Sequence, residues 1–424
     1  MTEIEIPTAS RRSRDVSVCL FLLAFGTVCG LLLATAVETG VFAYGEYHAS
    51  NGSAVLSQLT GDSIQPVINS AGPDHPAWLA FCGVFHRVAA AIGRPVTDVW
   101  LHATAVMLGV NLMLLFLILG RLRFRTTERL ALVALLVSLG ATVNWSIVVE
   151  THVLSPTSLM LASLLVLGNP ALRPRGRSAR AGDAITYGIA MALAASVTIT
   201  NVMIGILAAL PLAALRNGRI RKAGRIFSRR FPLMLTSGLV GIGLLALVNL
   251  VGWYLWKDPE MRQFLDVLGE RRLVQLMEGS WWDSVLSLAW IAPPADAYSG
   301  PLDGFRSLDR GWSTVPAYAS GFLVLLVVLL ALRLADSRSI FIPAFALFGF
   351  GLHAIYGKSE SFIFAPAYAW ATVVAFGIVG RHCFGKRLVI VGFTTAATLL
   401  SINLTIWLLS VARLQEAGVE LTPP

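Results

Sequence analysis

Two carboxylates and an imidazole share one short polar stretch of a chain that is poor in charge. Asp62, in Gly61-Asp62-Ser63, is followed after an interval of eleven residues by Asp74-His75-Pro76. Glu150-Thr151-His152 then sets a second carboxylate and imidazole side by side at the start of an apolar run, and Asn201, Lys358 and Glu360 stand at the ends of later runs. Arg271 and Arg272 are paired in a long polar segment. A partly desolvated carboxylate can take the proton of a hydroxyl. Cations held near a departing phosphate stabilise the charge that develops on it. On these grounds Asp62 and Glu150 are candidate catalytic residues. Asp74, His75, His152, Asn201, Arg271, Arg272, Lys358 and Glu360 are candidate substrate-binding residues, the cations for phosphate. Each has a plainer reading: Asp62 as a solvated loop residue, Glu150 as a helix cap facing the positive end of the dipole, and the cations as side chains reaching for lipid headgroups.

The elements that position these residues follow from composition. Of the 424 residues 56% are hydrophobic and 13% charged, and the mean hydropathy is +0.71. Uncharged runs of span length then identify lipid as the solvent. The runs are continuous rather than alternating, so the spans are helices and not the strands of a barrel. The four cysteines, Cys19, Cys29, Cys82 and Cys383, lack metal-ligand spacing and read as small hydrophobes.

A net charge of +9 would suit nucleic acid, but the placement of the basic residues argues against such a partner. Of the 33 Lys and Arg, 23 fall in clusters: Arg11 to Arg14, Arg121 to Arg129, Arg173 to Arg180, Arg216 to Arg230, Arg333 with Arg338, and Arg381 to Arg387. These occupy alternate loops, which the positive-inside rule assigns to the cytoplasm. Most of the acidic residues take the other loops.

Eleven spans satisfy every cluster. The first runs from Val16 to Phe42, too long for a signal-peptide core, and is expected to stay uncleaved. Then come 96–119, 130–143, 149–167, 185–198, 202–215, 233–256, 316–332, 340–355, 362–379 and 388–411. Residues 77–92, with Trp78, Phe81, Phe85 and Val88 at helical spacing, form an amphipathic helix in the interface of the first outer loop (45–94). A second such helix, 261–276, lies in the long outer loop (257–314), where Trp281, Trp282, Trp290 and Trp312 suit the headgroup level. The expectation is an all-α polytopic protein of the cell (inner or plasma) membrane, one integral domain over 1–424, with its N-terminus cytoplasmic and its C-terminus outside.

Gly61-Asp62-Ser63 and His75-Pro76, at their interval, resemble the first-loop signature of the GT-C membrane glycosyltransferases, especially the bacterial relatives of protein O-mannosyltransferases. Asn144-Trp145 with Val149-Glu150-Thr151-His152-Val153-Leu154 resembles the second signature, in which a glutamate begins an outward-facing span end. Thr200-Asn201 and Glu360-Ser361-Phe362-Ile363-Phe364 are fainter echoes of later positions. Two departures stand out. Ile64-Gln65 replaces the glutamate that follows the aspartate, and Ala77-Trp78 replaces the proline and glycine after His-Pro. The resemblance implies an inverting hexosyltransferase: Asp62 is the base, an acceptor hydroxyl attacks the anomeric carbon, and a polyprenyl phosphate leaves. It implies a lipid-linked sugar donor, a protein, lipid or glycan acceptor, and no organic cofactor, with a divalent metal left open.

The same residues fit a transporter or flippase of a lipid-linked or small polar substrate, for which ionisable groups at membrane depth are equally natural. Against it, the polar groups gather at the outer interface rather than at mid-span, and the two halves show no inverted repeat. A catalytically inactive protein with the same fold is the third reading.

Overall fold

The computed structural model describes residues 9–36, 77–145, 151–172, 180–256, 281–294, 298–299, 307–308, 312–355 and 361–416. The helices are α1 (Ala9–Ala36), α2 (Trp78–Ile92), α3 (Val96–Arg121), α4 (Thr126–Ser138), α5 (Gly140–Trp145), α6 (Ser155–Gly168) and α7 (Ala181–Val197). After them come α8 (Met203–Ala209), α9 (Leu212–Arg216), α10 (Ile220–Trp256), α11 (Val315–Leu334), α12 (Phe341–His353), α13 (Ala365–Phe384) and α14 (Leu388–Glu416). Short 3-10 turns link several of them, and two-residue strands pair Tyr298 with Leu308. Among the described residues five stretches are long and apolar enough to cross a membrane: Ser13–Leu32, Val96–Arg121, Ile220–Val251, Trp312–Leu334 and Ala365–Leu409. The last contains both α13 and α14, joined at Gly385, whose φ of 54° favours glycine.

The core is built around α13. Its sequence, Ala-Pro-Ala-Tyr-Ala-Trp-Ala-Thr-Val-Val-Ala-Phe-Gly-Ile-Val-Gly, carries small residues on every face, so helices can close on it from all sides. It packs against α4, α6, α11 and α12, and nearly every residue from Ala365 to Gly380 is buried. A Cβ on Gly377 would stand 2.7 Å from Leu132 Cδ1. At the edge, α1 meets α3 through Gly26 and Gly30 against Ala105 and Gly109, a pair of small-xxx-small faces. A Cβ on Gly109 would lie 2.2 Å from the Leu23 carbonyl oxygen, so the backbones themselves are in contact.

Several expected spans are broken or extended. The run 130–143 is two helices: Leu139 is extended, and the chain restarts at Gly140, where a Cβ would come within 2.5 Å of the Ala292 nitrogen. Asn403 of α14 secures this break. Its Nδ2 donates to Ser138 O and Trp290 O, both at 2.9 Å, while its Oδ1 accepts from Ala292 N–H at 2.9 Å. The run 202–215 divides at Leu210-Pro211, where the backbone is extended and a ring replaces the donor. By contrast α10 begins at Ile220 rather than at 233 and continues through Pro232. Its 37 residues measure about 55 Å, well beyond the roughly 30 Å of a hydrocarbon core.

Trp290 corrects an expectation. It is a core residue and not a headgroup one: it is 7% exposed, and its indole N–H donates to Thr372 Oγ1 at 2.8 Å. Trp282 and Trp312 are exposed.

The basic clusters converge on one end of the bundle, where their guanidiniums cap helix carbonyls. Arg216 donates to Leu332 O and Ala335 O at 2.7 Å, Arg338 to Leu167 O, and Arg230 to Leu172 O and Ala209 O. Arg129 donates to Phe124 O and pairs with Asp15 at 3.3 Å. Helix C-termini leave four carbonyls each without partners inside the helix, and these side chains supply donors for them.

Candidate functional site

At the end of the bundle away from the basic clusters, a small apolar cluster ties together segments that adjoin the candidate residues. It consists of Trp78, Cys82 and Phe85 of α2, Trp100 of α3, Leu154 and Val197. Trp100 is wholly buried, its ring 5.5 Å from Trp78 in an edge contact and 5.2 Å from Phe85. The amphipathic helix expected at 77–92 is present as α2, but its inward stripe is Trp78, Cys82, Phe85 and Ala89. Phe81 is half-buried and Val88 is 41% exposed. The two stripes differ by about one position, and packing on α3 and α10 selects between them. Gly93, with φ 64°, ends the helix in the left-handed conformation.

Three backbone segments meet here. Ala77, the residue after His75-Pro76, donates its N–H to Ser196 O at 2.8 Å, pinning the start of α2 to the end of α7. The 3-10 turn Thr151–Leu154, which contains His152, leads directly into α6 and touches α3, α7 and α13. Just beyond the end of α7, the 3-10 turn Ile199–Val202 holds Asn201. The Asn201 side chain is buried at 2% exposure and donates to Ser155 Oγ, the first residue of α6, at 3.5 Å. That contact links the turn to the start of α6.

The other predicted site residues, Asp62, Asp74, His75, Glu150, Arg271, Arg272, Lys358 and Glu360, lie outside the described residues, as does the helix expected at 261–276. Of His152 the backbone alone is described.

Directly below the His152 turn is a cavity of about 40 Å³ between α3, α5, α6 and α13, room for about three waters. Its walls are apolar apart from Thr104, Thr142, Asn111 and the indole of Trp370. Thr157 Oγ1 donates to Asn111 Oδ1 at 2.6 Å, which leaves the Asn111 NH2 as a donor. Trp370 is fully buried, and among the described residues its N–H meets no acceptor. The cavity is thus walled mainly by hydrocarbon, with a few polar side chains at its lining.

Two features went unread in the sequence. His353, at the end of α12, is 2% exposed, stacks on Phe364 at 4.1 Å and lies 3.4 Å from Tyr368 Oη. It thereby anchors the turn Ser361–Phe364 that follows Glu360. Trp100 stands alone in an apolar run, and nothing in its spacing marks it as the hub of this aromatic cluster. The chain matches no protein-family model and no curated protein.

Proposed function

We propose that the chain is a multi-pass membrane glycosyltransferase that moves a sugar from a polyprenyl-phosphate donor to an acceptor hydroxyl at the outer face. In this reading the helices make eleven crossings in a GT-C-like arrangement, with the basic end and the N-terminus cytoplasmic. Asp62 takes the proton of the acceptor hydroxyl as its oxygen bonds to the anomeric carbon. The bond from that carbon to the phosphate oxygen breaks, its electron pair goes to the phosphate, and the anomeric configuration inverts. Glu150 and His152 orient acceptor and base, with Asp74, His75 and Glu360 around them, while Asn201 holds the turn in place. Arg271, Arg272 and Lys358 neutralise the departing phosphate.

One observation carries this reading: the outer apolar cluster gathers the chain after His75-Pro76, the His152 turn and the approach to Asn201, three segments distant in sequence. Such convergence is what a site assembled from several loops on rigid helices requires. The test is transfer by the purified chain from a polyprenyl-phosphate sugar, read as release of polyprenyl phosphate. Wild type is expected to turn over, and Asp62→Asn to lose nearly all activity while keeping its unfolding temperature. Near-normal transfer by that variant would remove Asp62 as the base. Vesicle uptake or flipping of the lipid-linked sugar without transfer would replace the enzyme by a transporter.

A further inference from the structure

The basic end of the bundle holds a recess of about 370 Å³, between the ends of α3, α11 and α13 and the start of α12. Arg121, Arg123, Arg338 and Arg381 line it, with one carboxylate, Asp336. That carboxylate is already engaged. Its Oδ1 accepts from the N–H of Ser339 at 2.8 Å, the N–H of Arg338 at 3.1 Å and the Ser339 hydroxyl at 2.6 Å.

Arg381 is rigidly mounted. Its guanidinium lies 3.7 Å over the Phe124 ring, pairs with Glu128 at 2.6 Å and donates to Arg123 O at 2.7 Å. Glu128 in turn accepts from the Arg125 N–H at 2.8 Å. Arg121 and Arg123 are exposed at the recess, and among the described residues neither has an ion-pair partner.

The ordinary task of such arginines, capping helix ends, is done by other groups. The end of α3 is closed by backbone bonds from Leu122 N to Ile118 O, Arg123 N to Gly120 O and Phe124 N to Leu119 O. Arg216 caps the end of α11. Arg123 also has a φ of 65°, the one non-glycine residue with positive φ among those described. Glycine is the usual occupant at such a helix end, so an arginine held there is strained and points to a use.

We propose that this recess binds a phosphate group, either of an anionic lipid headgroup or of a soluble phosphate, with Arg121 and Arg123 as its unpaired cations and Arg381 as its preorganised one. Arginine forks match phosphate oxygens bidentately, and basic recesses between helices at headgroup depth take anionic headgroups. The site lies at the opposite end of the molecule from the outer cluster and does not depend on the proposed transfer reaction.

The experiment is native mass spectrometry of the purified full chain with phosphatidylglycerol or phosphatidylcholine added in turn. A parallel thermal-shift arm adds inorganic pyrophosphate to lipid-depleted protein. The test variant is Arg121→Gln with Arg123→Gly; the glycine relieves the strained φ, so its unfolding temperature should equal or exceed that of wild type. Arg219→Gln with Lys222→Gln, exposed at the same end but outside the recess, is the control. Wild type should retain phosphatidylglycerol over phosphatidylcholine, the test variant should retain it at least about tenfold less, and the control should match wild type. Retention in the presence of pyrophosphate assigns the ligand to a lipid headgroup; stabilisation and displacement by pyrophosphate assign it to a soluble phosphate. If the test variant binds both probes as wild type does, or the control pair loses as much, the recess is not the site.

Discussion

Trp100→Ala tests whether the aromatic cluster at its end of the bundle is what holds the segments beside the candidate residues together. The side chain is wholly buried and makes an edge contact with Trp78 and a tilted one with Phe85. Truncating a buried tryptophan costs about 3–5 kcal/mol, of which the two aromatic contacts supply about 1–3 kcal/mol. The loss falls on residues joining α2, the His152 turn and the end of α7; of these α13 packs mainly on the His152 turn, while α7 is joined to it through α6. Local opening of residues 78–92 should therefore become about 10²-fold more frequent or greater, with the α13 core unchanged. Hydrogen exchange read by mass spectrometry on peptides from 78–92, 151–154 and 199–202, against peptides from 365–384, measures this. Trp100→Phe keeps an aromatic ring in the cluster and should cost less than the Ala variant. Transfer activity should fall with the Ala variant and largely survive in the Phe variant. Unchanged exchange at 78–92, or exchange raised equally throughout, would refute the reasoning, because the cluster would then not be the local fastener.

Three other predictions rest on single residues. Asn403→Leu strands the Ser138 carbonyl and the Ala292 N–H while Trp290 O keeps the Gly140 N–H, a loss of about 2–4 kcal/mol that thermal unfolding in detergent should register. Cys383, exposed at the basic end, should react with a membrane-impermeant maleimide from the cytoplasmic side alone; labelling in intact cells would invert the topology. Cys82, buried and with its thiol pushed up by burial, should stay unlabelled until the protein unfolds.

What was legible in the sequence is what depends on local composition. Helix-length apolar runs require helices because lipid offers the backbone no partners, and this holds wherever the helices later pack. The clustering of arginines likewise requires no tertiary knowledge, since a guanidinium is costly in hydrocarbon on any helix. The break at Leu210-Pro211 is local, since proline lacks the donor, but the stop at Leu139 was decided by tertiary partners. Gly140 breaks a run because Ala292 and Asn403, far away in the chain, need its backbone at close range. The same holds for Trp290, whose ring is indistinguishable in sequence from the interfacial tryptophans until Thr372 supplies an acceptor inside the core. The candidate motifs were readable as residue types, but the packing of the described segments beside them was not. Ala77 to Ser196 is one hydrogen bond across more than a hundred residues, and the Trp100 cluster that surrounds it exists because three helix ends are brought together, a non-local fact that no spacing along the chain encodes.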